Sequence, residues 1–141
     1  MPVTSESTAV WNGTLLEGDG TVVLDSSGTA TFPLTWKARS FGTENTTNPE
    51  ELLAAAHASC FSMALSHALT EAGSPPERIQ TTAAVTFEVG KGVLGSHLLV
   101  SARVPGLTEA QFEAFTTRAK SECPISRALT GIPITIEAEL A

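Results

Sequence analysis

The segment from Asn48 to Gly73, NPEELLAAAHASCFSMALSHALTEAG, restricts the fold more than any other part of this chain. Asn48 is a helix-capping residue, Pro49 suits the first helical position, and Glu50 and Glu51 suit a first turn. Gly73, followed by Pro75-Pro76, marks the other end. Between these signals Ala54, Ala55, Ala56, Ala58, Ala64 and Ala68 are interspersed with Leu52, Leu53, Phe61, Met63, Leu65 and Leu69. Apolar groups therefore cover most of the circumference. A helix of this kind is expected to be buried on several sides, with its alanines letting neighbours approach closely. In its middle stands Cys60, one of only two cysteines.

Around this helix the chain reads as short strands, then a hairpin, a second helix and a last strand. Turn signals at Asn12-Gly13, Gly18-Asp19-Gly20 and Ser26-Ser27-Gly28 separate extended stretches, including Thr21–Leu24 and Ala30–Trp36. Pro33 places the last of these at an edge or a bulge. Residues 41–47 read as a polar loop. Ile79–Val89 alternates as a strand, and a glycine-rich turn through Gly95 leads to His97–Val104, with Leu98, Val100, Ala102 and Val104 on one face. Thr108 and Gln111 form a capping-box pattern, opening a helix whose stripe is Phe112, Phe115, Ala119 and Cys123. Pro124 disfavours helical geometry at Cys123, which puts that thiol at a helix end. Residues 125–129 form a short turn, and Pro133–Leu140 alternates as a terminal strand. The order predicts an α+β fold over residues 1–141 as one domain.

Composition narrows the function. A net charge of −7 argues against nucleic acid or an anionic membrane as partner. The hydrophobic fraction of 42% suits a chain that buries surface in an oligomer. The first residues show no basic region followed by an apolar run, so no signal peptide is expected and a cytoplasmic location is. Glu50, Glu51, His57 and His67 argue against a membrane span for the apolar helix. Two cysteines in such a chain read as redox, catalytic or simply buried thiols.

Both cysteines fall on inward faces of predicted helices, and an inert buried thiol is the ordinary alternative to a reactive one. The surrounding sequence decides between them. NPEELLAAAHASCFSMAL, with a Cys-Pro dipeptide 63 residues after Cys60 at the end of an amphipathic helix, resembles the OsmC/Ohr family of osmotically inducible and organic-hydroperoxide-resistance proteins. The resemblance runs through nearly the whole chain. It implies an intertwined homodimer with sites at the subunit interface and thiol-dependent reduction of organic hydroperoxides to alcohols. Cys60 is then the peroxidatic nucleophile, Cys123 the resolving thiol, and Glu50 and an arginine surround Cys60. Ohr-type members carry that arginine in the amino-terminal strands and have Tyr where this chain has His57. No arginine precedes Arg39 here, and Arg39-Ser40-Phe41-Gly42 matches the Arg-x-x-Gly setting of the OsmC branch. The resemblance also implies an external dithiol reductant, of lipoyl type, and no haem, flavin or metal cofactor.

The residue types suit this chemistry. An ordinary thiol is only a few per cent ionised at neutral pH, and burial makes ionisation harder. Cys60 lies beyond the first turn, where the helix N-terminal field acts. A fixed cation is needed, and an arginine stays charged even when desolvated. Glu50 would orient Arg39 and limit the cost of its burial. Glu50 and Cys60 are separated by about 15 Å of rise in an unbroken helix, so either Arg39 bridges most of that gap or the helix is interrupted between Leu53 and Ser59; an interruption is expected. Without the resemblance Glu50 is helix-terminus chemistry and Arg39 a solvated loop residue. Two other functions compete: a zinc site built from His57, Cys60, His67 and Cys123, or an apolar ligand-binding face around Phe61, Met63, Phe112 and Phe115.

Overall fold

The computed structural model describes every residue except Glu44. By its contacts the chain divides into two compact units, residues 1–52 and 53–141.

The amino-terminal unit is a three-stranded antiparallel sheet followed by a short helix. Strands β1 (Thr8–Asn12), β2 (Asp19–Val23) and β3 (Thr31–Leu34) lie in the order β1-β2-β3. Pro33 sits on the edge strand, as its missing N–H requires, and its carbonyl accepts the Thr47 N–H at 3.1 Å. The extended stretch expected to run to Trp36 stops at Leu34. Helix α1 (Trp36–Ser40) follows it, capped by Thr35, whose hydroxyl accepts the Ala38 N–H at 3.1 Å. Every residue of β1 is exposed, Val10 and Trp11 among them, as are Leu15 and Leu16 beyond it.

Helix α2 (Pro49–Glu71) begins in this unit and continues into the next without a break. The expected interruption between Leu53 and Ser59 is absent. The physical reason is local: after Pro49 the helix holds no Gly or Pro, and alanine and leucine favour uninterrupted propagation. Asn48 caps it, its Oδ1 accepting the Glu51 N–H at 2.8 Å. Gly73, with φ +83°, ends it: Gly73 N–H reaches Thr70 O and Ser74 N–H reaches Leu69 O, the paired bonds of a Schellman turn. By length and a mean hydropathy of 1.4 this helix would be long enough to cross a membrane, and here it supplies part of the core of the second unit. Within one chain it is covered on one side only. His57, Phe61, Leu65, Ala68 and Leu69 are buried, whereas Ala55, Ala56, Ser59, Met63 and His67 are exposed.

In the carboxy-terminal unit β4 (Arg78–Glu88) and β5 (Gly92–Arg103) form a long antiparallel hairpin, with a register shift at Thr86/Phe87. The turn is tighter than the glycines suggested, since β5 already starts at Gly92. A crossover through α3 (Glu109–Glu122) and α4 (Pro124–Ala128) returns the chain as β6 (Ile134–Leu140), parallel to β5. The expected capping box is present at Thr108 and Gln111. Leu98, Val100, Ala102 and Val104 of the hairpin pack with Phe61, Leu65 and Leu69 of α2 and with Phe112, Ala119 and Cys123. The fold is α+β, as the order of elements predicts.

Candidate active site

Cys60 lies on α2 and Cys123 at the corner between α3 and α4, where the following Pro124 keeps Cys123 out of helical geometry at φ −55°, ψ 121°. The Cys123 N–H still completes α3 by donating to Ala119 O at 2.9 Å. This corner brings the Cys123 thiol, fully buried, to 2.9 Å from the sulfur of the half-buried Cys60. Burial pushes the Cys60 thiol above its ordinary value, the adjoining Cys123 sulfur adds to the rise, and the Ile125 backbone N–H opposes it. Within this unit the two sulfurs are paired, and the Cys60 thiol is held away from ionisation.

The amino-terminal unit holds an ion pair. Arg39 projects from α1 and meets Glu50, in the first turn of α2, through a forked contact: Nε to Oε1 at 3.1 Å, Nε to Oε2 at 3.3 Å and Nη2 to Oε1 at 2.9 Å. Glu50 is 6% exposed and Arg39 35%. Asn48 ties the two helices together by donating from Nδ2 to Ala38 O at 2.8 Å while its other end caps α2. A buried carboxylate held by both arms of a guanidinium is a fixed, oriented pair. Glu50 is therefore more than a favourable residue at a helix start.

Beside Arg39 lies a largely apolar cavity of about 240 Å³, lined by Trp11, Leu15, Leu34, Trp36 and Pro49. Trp11 is held there by its strand partner: the indole lies against Gly20, where a Cβ would meet the ring at 2.8 Å.

The remaining candidates separate. His57 is fully buried, with Nδ1 2.7 Å from Ser96 Oγ and Nε2 2.8 Å from Ser126 Oγ, and burial lowers its pKa. Both ring nitrogens are engaged, so the alternative zinc set loses His57, and among the described residues no three His, Cys, Asp or Glu side chains are grouped as a metal would need. The alternative apolar ligand face does not form either. Phe61 and Phe112 lie in the core, and Met63 points away at 72% exposure. Sequence reasoning missed α1, Ser96, Ser126 and the tryptophan-lined cavity. Only α1 had a readable signal, the cap at Thr35. Ser96 and Ser126 reach the imidazole through tertiary pairing across 39 and 69 residues.

Residues 42–137 match the family model of OsmC-like proteins. The chain belongs to the OsmC-like family. It is 38% identical over 143 residues to the Escherichia coli (strain K12) protein named peroxiredoxin OsmC, covering 99% of each chain. It is 31% identical over 132 residues to the Bacillus subtilis (strain 168) organic hydroperoxide resistance protein OhrA, covering 89% of this chain and 86% of that one. The higher identity to the OsmC relative agrees with the branch assigned from Arg39. The solved OsmC-like protein of Mycoplasma pneumoniae shares the fold, with a TM-score of 0.77 at 17% identity over 100% of this chain and 99% of that one.

Proposed function

We propose that this OsmC-family protein is a thiol peroxidase that reduces organic hydroperoxides to alcohols, with Cys60 as the peroxidatic sulfur and Cys123 as the resolving one. The observation that carries the reading is the 2.9 Å approach of two free thiols at a proline-defined corner. The Cys60 thiolate attacks one peroxide oxygen, the O–O bond breaks, and the departing alkoxide takes a proton to leave as alcohol. Cys60 is left as a sulfenic acid. Cys123 attacks its sulfur, the S–O bond breaks, hydroxide leaves as water with the Cys123 proton, and a disulfide remains. An external dithiol, which we take to be of lipoyl type, returns both thiols and is itself oxidised to a disulfide.

Arg39 has the charge that Cys60 needs. In our reading its guanidinium, oriented by Glu50, holds the thiolate and the incoming peroxide, and the tryptophan-lined cavity takes the organic substituent. Ten residues of helix separate Glu50 from Cys60 by about 15 Å along the axis. In our reading the pair that serves Cys60 comes from a second copy of the chain. A homodimer is supported by the uncovered apolar side chains Val10, Trp11, Leu15, Leu16 and Met63. The family match crosses from residue 42 to 137, which supports one OsmC-like domain despite the two contact units. We take the location to be cytoplasmic, where two cysteines that form no disulfide framework are kept reduced between turnovers. The test is peptide mapping after one equivalent of cumene hydroperoxide. A Cys60–Cys123 disulfide is expected, and steady peroxide consumption with both thiols unchanged would defeat the reading.

A further inference from the structure

His57 stands one turn before Cys60 on α2, and Ser126 stands one turn after Cys123 on α4. Two parallel rungs therefore join the same two pieces of chain. One is the sulfur contact at 2.9 Å, and the other is the bond between His57 Nε2 and Ser126 Oγ at 2.8 Å. The opposite ring nitrogen, Nδ1, is anchored to Ser96 Oγ on β5 at 2.7 Å. All three side chains are at most 4% exposed. A neutral imidazole has one donor and one acceptor nitrogen, so one serine accepts from the ring and the other donates to it.

We propose that His57 is a positioning residue for disulfide closure: through Ser126 it holds the α3–α4 corner against α2 while the sulfur contact is remade. The proposal rests on the peroxidase reading above. During turnover the sulfur rung cannot keep one length. The sulfenic acid places an oxygen on Cys60, beside the Cys123 sulfur, and closure then draws the two sulfurs to about 2.05 Å. A corner free to drift at that moment leaves the sulfenic acid open to a second hydroperoxide. That molecule would transfer its oxygen to the sulfur, giving a sulfinic acid and a second alcohol. The imidazole rung contains no atom that changes oxidation state, so it can keep the register through both steps. Anchoring at Ser96 prevents the ring from following the corner outward.

Single-turnover mixing with cumene hydroperoxide, with the sulfenic acid trapped by dimedone and the disulfide counted by mass spectrometry, separates the two steps. Ser126→Ala, which removes the rung without adding bulk, should leave peroxide attack unchanged. It should slow closure roughly tenfold, the scale of one lost buried hydrogen bond, and raise the sulfinic fraction. Ser96→Ala keeps the bond to α4 and should slow closure less. Closure at the unmodified rate in Ser126→Ala overturns the proposal, and so does equal slowing of both steps, which is the mark of general loosening. If Ser126→Ala does not fold, His57→Gln is read by the same two rates. Failure of the unmodified protein to form either a sulfenic acid or a disulfide would instead defeat the peroxidase reading.

Discussion

Arg39 with Glu50 and Cys60 with Cys123 are two close pairs of chemically active side chains, and each has what the other lacks. The first is fully ionic and held by three hydrogen bonds, yet includes no group that can be oxidised by two electrons. The second has that group twice over, but burial and the neighbouring sulfur both push the Cys60 thiol away from ionisation. A guanidinium keeps its charge when desolvated, whereas a thiol in the same surroundings gives its charge up. The difference teaches that the reactive state of Cys60 is not an intrinsic property of the unit that contains it. In our reading it depends on the charge of Arg39, delivered by a second chain.

The strongest way to break this comparison is to remove the sulfur. Cys60→Ser should abolish hydroperoxide consumption, and Cys123→Ser should allow one turnover and leave Cys60 oxidised. Steady turnover by Cys60→Ser, followed by peroxide assay, would show that the chemistry lies elsewhere. Removing the charge should do less. Arg39→Met should lower the rate of the first step roughly a hundredfold, the usual effect of losing one preorganised electrostatic partner. Its pH–rate profile should also move upward, because no cation then opposes burial at Cys60. Glu50→Gln should lower the rate less, since the charge remains but loses one arm of its orientation. A profile in Arg39→Met that coincides with that of the unmodified protein would separate the two pairs altogether.

The smallest effect sharpens the comparison from the side of His57, a buried base whose charge is suppressed as that of Cys60 is. Its folded-state pKa lies below the ordinary value of about 6.5, so the unfolded chain binds a proton first as pH falls. Stability from this source is complete above about pH 6.5 and declines as pH drops from there toward the lowered folded value. Melting temperature measured from pH 7.5 to 5 should fall for the unmodified protein, by a few degrees for each kcal/mol lost. The decline should be shallower in His57→Gln. Equal slopes in the two proteins would mean that the imidazole is not a stability-linked group.

Legibility in the sequence followed the range of the interactions. The long helix, its caps at Asn48 and Gly73, the inward stripe of β5 and the Thr108–Gln111 box are local patterns, and each stands where the sequence places it. Helix α1 was missed because five residues carry no periodicity to read. The expected break in α2 followed from placing Glu50 and Cys60 of one chain in one site. The backbone chemistry of PEELLAAAHASC offers no reason to break, and the helix runs through.

What the sequence determined by itself was the set of parts: a helix that propagates because alanine and leucine fill it, a thiol in its middle, a second thiol made to end a helix by the proline after it, and an arginine in an OsmC-type setting. Which parts meet was decided only by tertiary structure. The parallel return of β6 beside β5 carries the chain through the corner that puts Cys123 on Cys60, and Ser96 and Ser126 come to His57 across the same core. Hydrogen bonds and sulfur contacts are short-ranged in space and indifferent to distance along the chain. Their partners become known only when packing has closed the intervening loops.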